Sequence, residues 1–426
     1  MESKRPVVVI VGAGFGGLAA VKALEKEAVD LILVDQHNHH LFQPLLYQVA
    51  TAWLSPADIA APVRNVFSRQ KNLSVVLGKV VAVEAAANNL TIDNGMHVYE
   101  QAYDYLVLAT GARHDYFGND QWEAFAPGLK TLDDAIGIRE RLLLAFERAE
   151  MATDPEERDA HLTIVIVGAG ATGVEMAGSI VELARAALVK DFRRIDPRQA
   201  RVLLVEAGPR VLPAFPEHLS VAAKRSLEKL GVQVKVNSRV TKCEAGSVTI
   251  GERRVPAETV IWAAGVKASP AAAWLGAEAD RAGRVKVAPD YSVPNHSNVF
   301  VIGDTASLVD ADERLVPGVA PAAKQAGRYV GGVIRAAIGG ATKPPPFRYR
   351  DPGNMATIGR HAGVADFGWV SLRGQVAWWL WGIVHIYFLI DFRSRLTVSI
   401  NWLWSFLTFK RGARLITSEH QSAMRE

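Results

Sequence analysis

The chain has 426 residues, enough for two or three domains of ordinary size, and its 49% hydrophobic content with 35 glycines suits a packed α/β protein. Its one cysteine, Cys243, excludes an internal disulfide and any Cys-x-x-Cys pair, so chemistry that runs on paired thiols is removed and Cys243 reads as an inert structural thiol. The formal net charge is +4, a surplus matched by residues 370–426 alone, where seven Lys or Arg face three Asp or Glu.

The opening MESKRP leads straight into a predicted strand, without an apolar secretory segment or an Arg-rich presequence before it. That strand begins VVVIVGAGFGGLAA, with Gly12, Gly14 and Gly17 followed by an Ala-rich helical pattern. Glycines at this spacing allow a tight strand-to-helix turn and let the backbone approach a pyrophosphate, to which the helix N-terminus offers free N–H groups. LILVDQH then ends a strand at Asp35, 23 residues after Gly12. An acid at about that offset hydrogen-bonds a ribose hydroxyl in dinucleotide sites. Further on, YDYLVLATGAR is a buried strand whose small end, Ala109, Thr110 and Gly111, allows close backbone approach.

The pattern then repeats. TIVIVGAGATGVEMAG carries Gly168, Gly170 and Gly173, again between an apolar strand and a helix. RVLLVEAGPR ends a strand at Glu206, 38 residues after Gly168, and the excess falls in residues 179–199, an extended helix plus a polar loop. Glu206 reads either as an ordinary solvated acid or as a carboxylate that accepts a 2′-hydroxyl and repels a 2′-phosphate, favouring NADH over NADPH. Arg210 is near enough in sequence to soften that preference. TVIWAAGV, with Ala264 and Gly265, repeats the small-residue strand end, and VFVIGDTAS, with Gly303 and Asp304, resumes the first unit near Val299. One such fingerprint is weak evidence, but two imply two dinucleotides in one chain, a flavin reduced by a nicotinamide. The expected fold class is α/β, with two Rossmann-like dinucleotide-binding domains. The expected boundaries are 1–125 and 289–371 for the first domain, 126–288 for the inserted second, and 372–426 for a C-terminal region.

That region contains two apolar runs, VAWWLWGIVHIYFLI over 376–390 and LTVSINWLWSFLTF over 396–409, 15 and 14 residues long and separated by DFRSR. Each is shorter than the roughly 20 residues a spanning helix needs. Five of the ten Trp lie here, namely Trp378, Trp379, Trp381, Trp402 and Trp404, bracketed by Arg373, Arg393, Arg395, Lys410, Arg411 and Arg414. Trp favours the headgroup region and Lys and Arg bind anionic lipid heads, so the runs read as amphipathic helices in the interface of one leaflet. The other reading is a pair of core or dimer-interface helices. His385 has no second ligand at helical spacing, and no metal site is expected.

Two fingerprints, Glu175 within the second, HHLFQPLLYQVATAWLSP after the first, WAAGV, VIGD and a Trp-rich basic tail together resemble the type II NADH:quinone oxidoreductases over nearly the entire chain. The resemblance implies a glutathione-reductase-like arrangement with non-covalent FAD on the first unit (Gly12, Gly14, Gly17, Asp35, Thr110, Gly111, Gly303, Asp304 and Ala320). NADH is expected on the second (Gly168, Gly170, Gly173, Glu175, Glu206, Ala264 and Gly265), with Glu175 near nicotinamide and flavin. Gln43, Pro44, Tyr47, Gln48 and Gln325 are expected to line a quinone pocket. The family pattern Ala-Gln-x-Ala-x-Gln reads APAAKQ here, from Ala320 to Gln325, so Pro321 replaces one amide while Lys324 and Gln325 remain as catalytic candidates.

The resemblance also implies hydride transfer from NADH to the flavin, then two electrons to a membrane quinone without ion pumping. The bilayer surface, a membrane quinone and, compatibly, a second copy of the chain are the expected partners; nucleic acid is not. The expected location is monotopic, on the cytoplasmic face of a bacterial inner membrane. Two other readings stand beside it: a soluble NADH-dependent reductase of an iron–sulfur protein, and an NADH-responsive flavoprotein serving a signalling partner.

Overall fold

The computed structural model describes residues 5–408 and 413–416. Lys410, Arg411 and everything after residue 416 therefore lie outside the described residues. The chain divides into two compact units.

The first unit comprises Met1–His40, Ala61–Arg113 and Val266–Pro352. Its sheet has six strands in the order Ser292–Val293, His296–Val301, Tyr105–Leu108, Val7–Val11, Asp30–Asp35, Leu73–Leu77. All neighbours are parallel except the short edge strand, which is antiparallel. Val8 lies opposite Leu31 on one side and Tyr105 on the other. Covered on both faces, the central strand is an unbroken β-branched run, VVVIV, and its Val8, Val9 and Ile10 are fully buried. Val299 pairs with Leu106, so the VFVIGD strand lies in the same sheet as the first fingerprint although nearly 300 residues separate them. Helices Phe15–Ala23 and Ala320–Ile338 pack together on this unit.

The second unit comprises Leu41–Ala60, His114–Gly265 and Gly353–Glu426. Its parallel sheet runs Gln233–Lys235, Arg201–Val205, Thr163–Val167, Thr259–Trp262. Helix Leu132–Met151 starts with a capping box between Thr131 and Asp134. Helix Ala171–Glu182 packs against the short helix Leu46–Ala50 and against strand Asn354–Ile358. That strand belongs to an antiparallel sheet with Ala362–Asp366 and Ser371–Arg373.

These units cut the chain differently from the boundaries expected from sequence. Residues 41–60 join the second unit because Leu46–Ala50 packs on Leu132–Met151 and Ala171–Glu182. Residues 114–125 join it because the Asp115 N–H donates to Gly265 and the Trp262 indole donates to the Asp115 carbonyl. Residues 266–288 join the first unit, where Val285 pairs with Ala306.

The tail is likewise part of the second unit. Helix Gln375–Phe388 packs on strands Asn354–Ile358 and Ala362–Asp366, and burial of Ala377, Trp381, Leu389 and Val398 ties the tail into the core. Helix Phe392–Thr408 begins inside the charged DFRSR break, because the Asp391 carboxylate accepts the Ser394 N–H at 2.6 Å and so caps the helix. Of the five tail tryptophans, Trp379 and Trp404 are exposed, whereas Trp381 is buried and Trp378 and Trp402 are partly buried. The tail tryptophans thus divide between an exposed face and a face packed on the unit, as in amphipathic helices. No helix among the described residues is long and apolar enough to cross a membrane.

Candidate active site

The two fingerprints adopt one local geometry. Gly12 has φ +104° and Gly168 φ +99°, a region side chains disfavour. A Cβ there would lie 2.3 Å from the Ala109 carbonyl oxygen or 2.7 Å from the Ala263 backbone. At Gly17 and Gly173 a Cβ would fall 1.8 and 1.9 Å from the carbonyl oxygens of Gly12 and Gly168, so only glycine seats each helix against its turn. Gly14 and Gly170 are the N-caps of the helices; neither helix has a side-chain cap or an acid in its first turn. Nothing stands within 4 Å of where their Cβ atoms would be. The open space at both helix N-termini fits a pyrophosphate, which N–H groups at a helix start can bind.

The strand-end acids are equivalent too. Asp35 accepts the Ala13 N–H at 2.5 Å with one carboxylate oxygen and the His37 N–H at 2.7 Å with the other. Glu206 accepts the Ala169 and Gly208 N–H groups, each at 2.7 Å. Each acid thus ties its strand to the middle of its fingerprint, and a carboxylate with about four lone-pair sites keeps capacity for ribose hydroxyls. Arg210 donates instead to the Pro213 carbonyl at 2.9 Å.

Around the first fingerprint the structure adds a residue that sequence reasoning missed. His40 is buried, its Nδ1 lies 2.8 Å from the Ala13 carbonyl oxygen, and its ring meets Phe15 edge-on at 5.0 Å. Burial pulls its pKa down to about 4, against the favourable bond to Ala13, so the ring is neutral and Nδ1–H is the donor. Lys324 lies 4.9 Å from the Phe15 ring, and burial, then the Arg328 charge, lowers its pKa.

Thr110 is engaged by hydroxyls, 2.5 Å from Ser269 Oγ and 3.3 Å from Thr305 Oγ1; Thr305 in turn donates to Gly111 at 3.0 Å. Gly303 and Asp304 form the turn Gly303–Thr305. Ala320 opens helix Ala320–Ile338, so Pro321 sits in the first turn, where a missing N–H leaves no helical bond unmade. Gln325 spends both ends of its amide on the Arg350 backbone, donating at 2.8 Å and accepting at 3.0 Å.

Within the second unit, a small opening is lined by Tyr47, Gln48, Glu175, Arg360, Trp381 and Trp402, among others. Glu175 is buried and its Oε1 lies 3.4 Å from the Thr357 N–H. Burial pushes its pKa up to about 8, with the Thr357 contact pulling the other way. The Tyr47 hydroxyl sits 3.0 Å from Thr357 Oγ1 and accepts from the Gln48 amide at 3.1 Å. Gln48 Oε1 in turn accepts the Trp402 indole N–H at 2.8 Å. Burial, then the Glu175 charge, holds the Tyr47 phenol well above its usual range, so it stays protonated.

In the same lining, the Arg360 guanidinium lies over the Trp53 ring at 5.5 Å and the Arg360 backbone N–H donates to Glu182 at 2.6 Å. Gln43 and Pro44 are outside this lining; Gln43 is exposed and donates to Lys130 at 3.3 Å. Ser179 and Glu182, four and seven residues after Glu175, share its helical face and were findable by periodicity. Thr357 arrives on strand Asn354–Ile358 and Arg360 on the turn after it, some 180 residues away, and no local signal marks them.

Elsewhere in this unit, Ala264 and Gly265 follow strand Thr259–Trp262, and Gly265, at φ +93°, has the Phe117 ring where a Cβ would stand. Cys243 is buried, which pushes its thiol up to about 11 and leaves it unreactive at neutral pH. His385 bonds the Trp381 carbonyl at 2.7 Å, and burial pulls its pKa down to about 4. Among the described residues no cluster of His, Cys, Asp or Glu could hold a metal ion.

Residues 6–327 match the family described as pyridine nucleotide-disulphide oxidoreductase, and residues 352–411 match the NDH2 C-terminal domain. Two Mycobacterium tuberculosis proteins, both called type II NADH:quinone oxidoreductase, are similar along nearly their entire length. One, NdhA, is 46% identical over 97% of this chain and 89% of its own. The other, Ndh, is 43% identical over 99% of this chain and 92% of its own. The structure of Plasmodium falciparum NDH2 in complex with NADH aligns with a TM-score of 0.89 at 20% identity, covering 97% of this chain and all of that one.

Proposed function

The chain belongs to the type II NADH:quinone oxidoreductase family, and from that membership we propose a monotopic enzyme with non-covalently held FAD, the group that takes hydride from NADH and delivers two electrons to a membrane quinone. The coarser reaction, oxidation of NADH with reduction of a quinone, follows from the family itself.

The reading assigns FAD to the first fingerprint. Gly12, Gly14 and Gly17 leave room for the pyrophosphate, Asp35 offers lone pairs to the ribose, and Gly303 and Asp304 in the turn after strand His296–Val301, with Ala320 at the start of its helix, complete the assigned set. Thr110 and Gly111 hold the neighbouring strand end through Thr305. Lys324 places a positive charge beside Phe15, the residue after Gly14, and Gln325 acts by fastening the Arg350 segment. NADH is assigned to Gly168, Gly170 and Gly173, with Glu206 on the adenosine ribose and Ala264 and Gly265 at the adjoining strand end. The same fingerprint geometry at both places supports each assignment.

The observation that carries the quinone end is the opening in the second unit. It brings a protonated carboxyl, Glu175, into one lining with Tyr47, Gln48, Thr357 and Arg360, to which the apolar tail adds the indoles of Trp378, Trp381 and Trp402. Quinone reduction consumes protons, and Glu175 and the Tyr47 hydroxyl hold theirs at neutral pH. Membrane attachment is supported by the exposed apolar side chains on the tail helices, Val376, Trp379, Ile383, Tyr387, Phe392, Ile400, Leu403 and Trp404. The proposed site of action is the NADH-containing side, the cytoplasmic face of a bacterial inner membrane, and the proposed reaction moves no ion across it.

The test is NADH oxidation by the purified protein with ubiquinone and menaquinone analogues, beside an iron–sulfur protein as acceptor. Rapid turnover with a quinone is the expected result; turnover with the iron–sulfur protein alone would overturn the reading.

A further inference from the structure

The segment that stretches the second fingerprint unit is folded rather than slack. Helix Ala171–Glu182 runs on into a π-turn, Leu183–Ala187, and a loop then leads to strand Arg201–Val205. Glu150, on helix Leu132–Met151, fastens the loop at its middle. Its carboxylate accepts the N–H groups of Arg193 at 3.0 Å, Arg194 at 2.9 and 3.0 Å, and Ile195 at 3.0 Å. Leu188 and Ile195 are buried beneath, so the exposed side chains of Lys190, Arg193, Arg194 and Arg198 stand on a fixed base.

Residues 185–201 hold six basic side chains and two acids, Asp191 and Asp196. Both acids are engaged: Asp196 pairs with Arg198 at 2.9 Å, and Asp191 pairs with Arg414. The Arg193 guanidinium donates to the Lys190 and Phe192 carbonyls at 2.9 and 3.3 Å, and the Arg194 charge acts on the Glu150 carboxylate across the same anchor. Arg414 also donates to the Ala187 carbonyl at 2.9 Å, which brings Leu415 and Ile416, both exposed, alongside the loop. Pre-ordered basic side chains bordered by apolar ones suit a lipid surface: the cations meet headgroup phosphates and the apolar groups enter the acyl boundary.

We propose that this loop, with Arg193 and Arg194 at its centre, is a second contact with an anionic phospholipid surface, additional to the tail helices. The inference rests on the membrane reading above. A second contact point limits rotation about the first, so it fixes which face of the unit meets the bilayer.

The experiment uses the full chain and two vesicle compositions, pure phosphatidylcholine and phosphatidylcholine with phosphatidylglycerol. Each basic group near an anionic surface contributes on the order of 1 kcal/mol, about fivefold in binding. R193Q/R194Q should therefore bind anionic vesicles roughly 25-fold more weakly than wild type. Its binding to neutral vesicles, and its turnover with a water-soluble quinone, should be unchanged. R193K/R194K, which keeps the charge, should bind anionic vesicles nearly as wild type does. Equal binding of wild type and R193Q/R194Q to anionic vesicles would overturn the loop contact while leaving the tail reading intact. A wild type that binds neither vesicle would overturn the membrane reading, and this inference with it. Tighter binding of a nucleic-acid duplex than of anionic vesicles at equal ionic strength would assign the loop to another partner.

Discussion

Glu175 shows what burial does to a single carboxyl. Its pKa is pushed from 4.5 up to about 8, so between those values the folded protein holds a proton that the unfolded chain has released. Stability from this group is fully present below about pH 4.5, declines as pH rises, and is lost through about pH 8. The wild-type Tm should accordingly fall between pH 5 and pH 8, and Glu175→Gln should flatten that fall. Equal slopes in the two proteins would show that the decline comes from other groups. In catalysis, Glu175→Gln or Glu175→Ala should slow flavin reduction by NADH or weaken the complex in stopped-flow measurements, with flavin content normal. An unchanged rate and affinity would exclude Glu175 from the reductive step and leave it the proton-holding role at the quinone end, which a fall in turnover with quinone would register. Glu206 makes a second prediction. Repulsion of a 2′-phosphate disappears in Glu206→Gln, so kcat/KM for NADPH relative to NADH should rise by about tenfold, roughly 1.4 kcal/mol. A wild type that prefers NADPH would sink the assignment.

The two tail helices do two things at once, and this changes how they should be probed. Removing residues 372–426 would strip Trp381 and Trp402 from the cavity wall and Ala377, Leu389 and Val398 from the core. Truncation would therefore confound anchoring with folding. Exchanging exposed Trp379, Ile383 and Leu403 for Ser spares the core, and should lower vesicle binding by roughly 100-fold for the three together, since each loses on the order of 1 kcal/mol of apolar burial. Activity with a water-soluble quinone should persist; unchanged vesicle binding would place the anchor elsewhere. Trp402→Phe keeps the ring but drops the bond to Gln48, worth about 1 kcal/mol, so kcat/KM for quinone should fall about fivefold while reduction of an electron-accepting dye is unaffected. The helices themselves were legible from their apolar runs. Which indoles turn inward was not, because that depends on strands Asn354–Ile358 and Ala362–Asp366 packed beneath them.

Across the whole molecule, the fingerprints, strand-end acids and returning VFVIGD strand were readable because each is a local pattern with a fixed spacing. The unit boundaries were not. Residues 41–60 follow the first fingerprint in sequence yet pack on helices of the second unit, a long-range preference that leaves no periodic trace. The same is true of the Glu175 cavity, which gathers side chains from residues 47 to 402. At this scale the protein should be yellow as purified and should release FAD on denaturation; flavin retained by the denatured chain, or FMN, would contradict the first-unit assignment. Salt should weaken only the electrostatic part of membrane attachment, so washing membranes with 1 M salt should extract little enzyme. Complete extraction by salt alone would mean that apolar insertion contributes nothing.

The indoles of Trp381 and Trp402 lie 5.6 Å apart with an angle of 23° between their planes, one ring on each tail helix. Two chromophores that close share their excited states, and the coupling falls away steeply with separation. The second unit thus carries a built-in optical gauge. Lifting one helix from the other by a few ångströms should weaken the exciton contribution of this pair to the far-ultraviolet circular dichroism, so the seating of the tail can be followed with light and without a label.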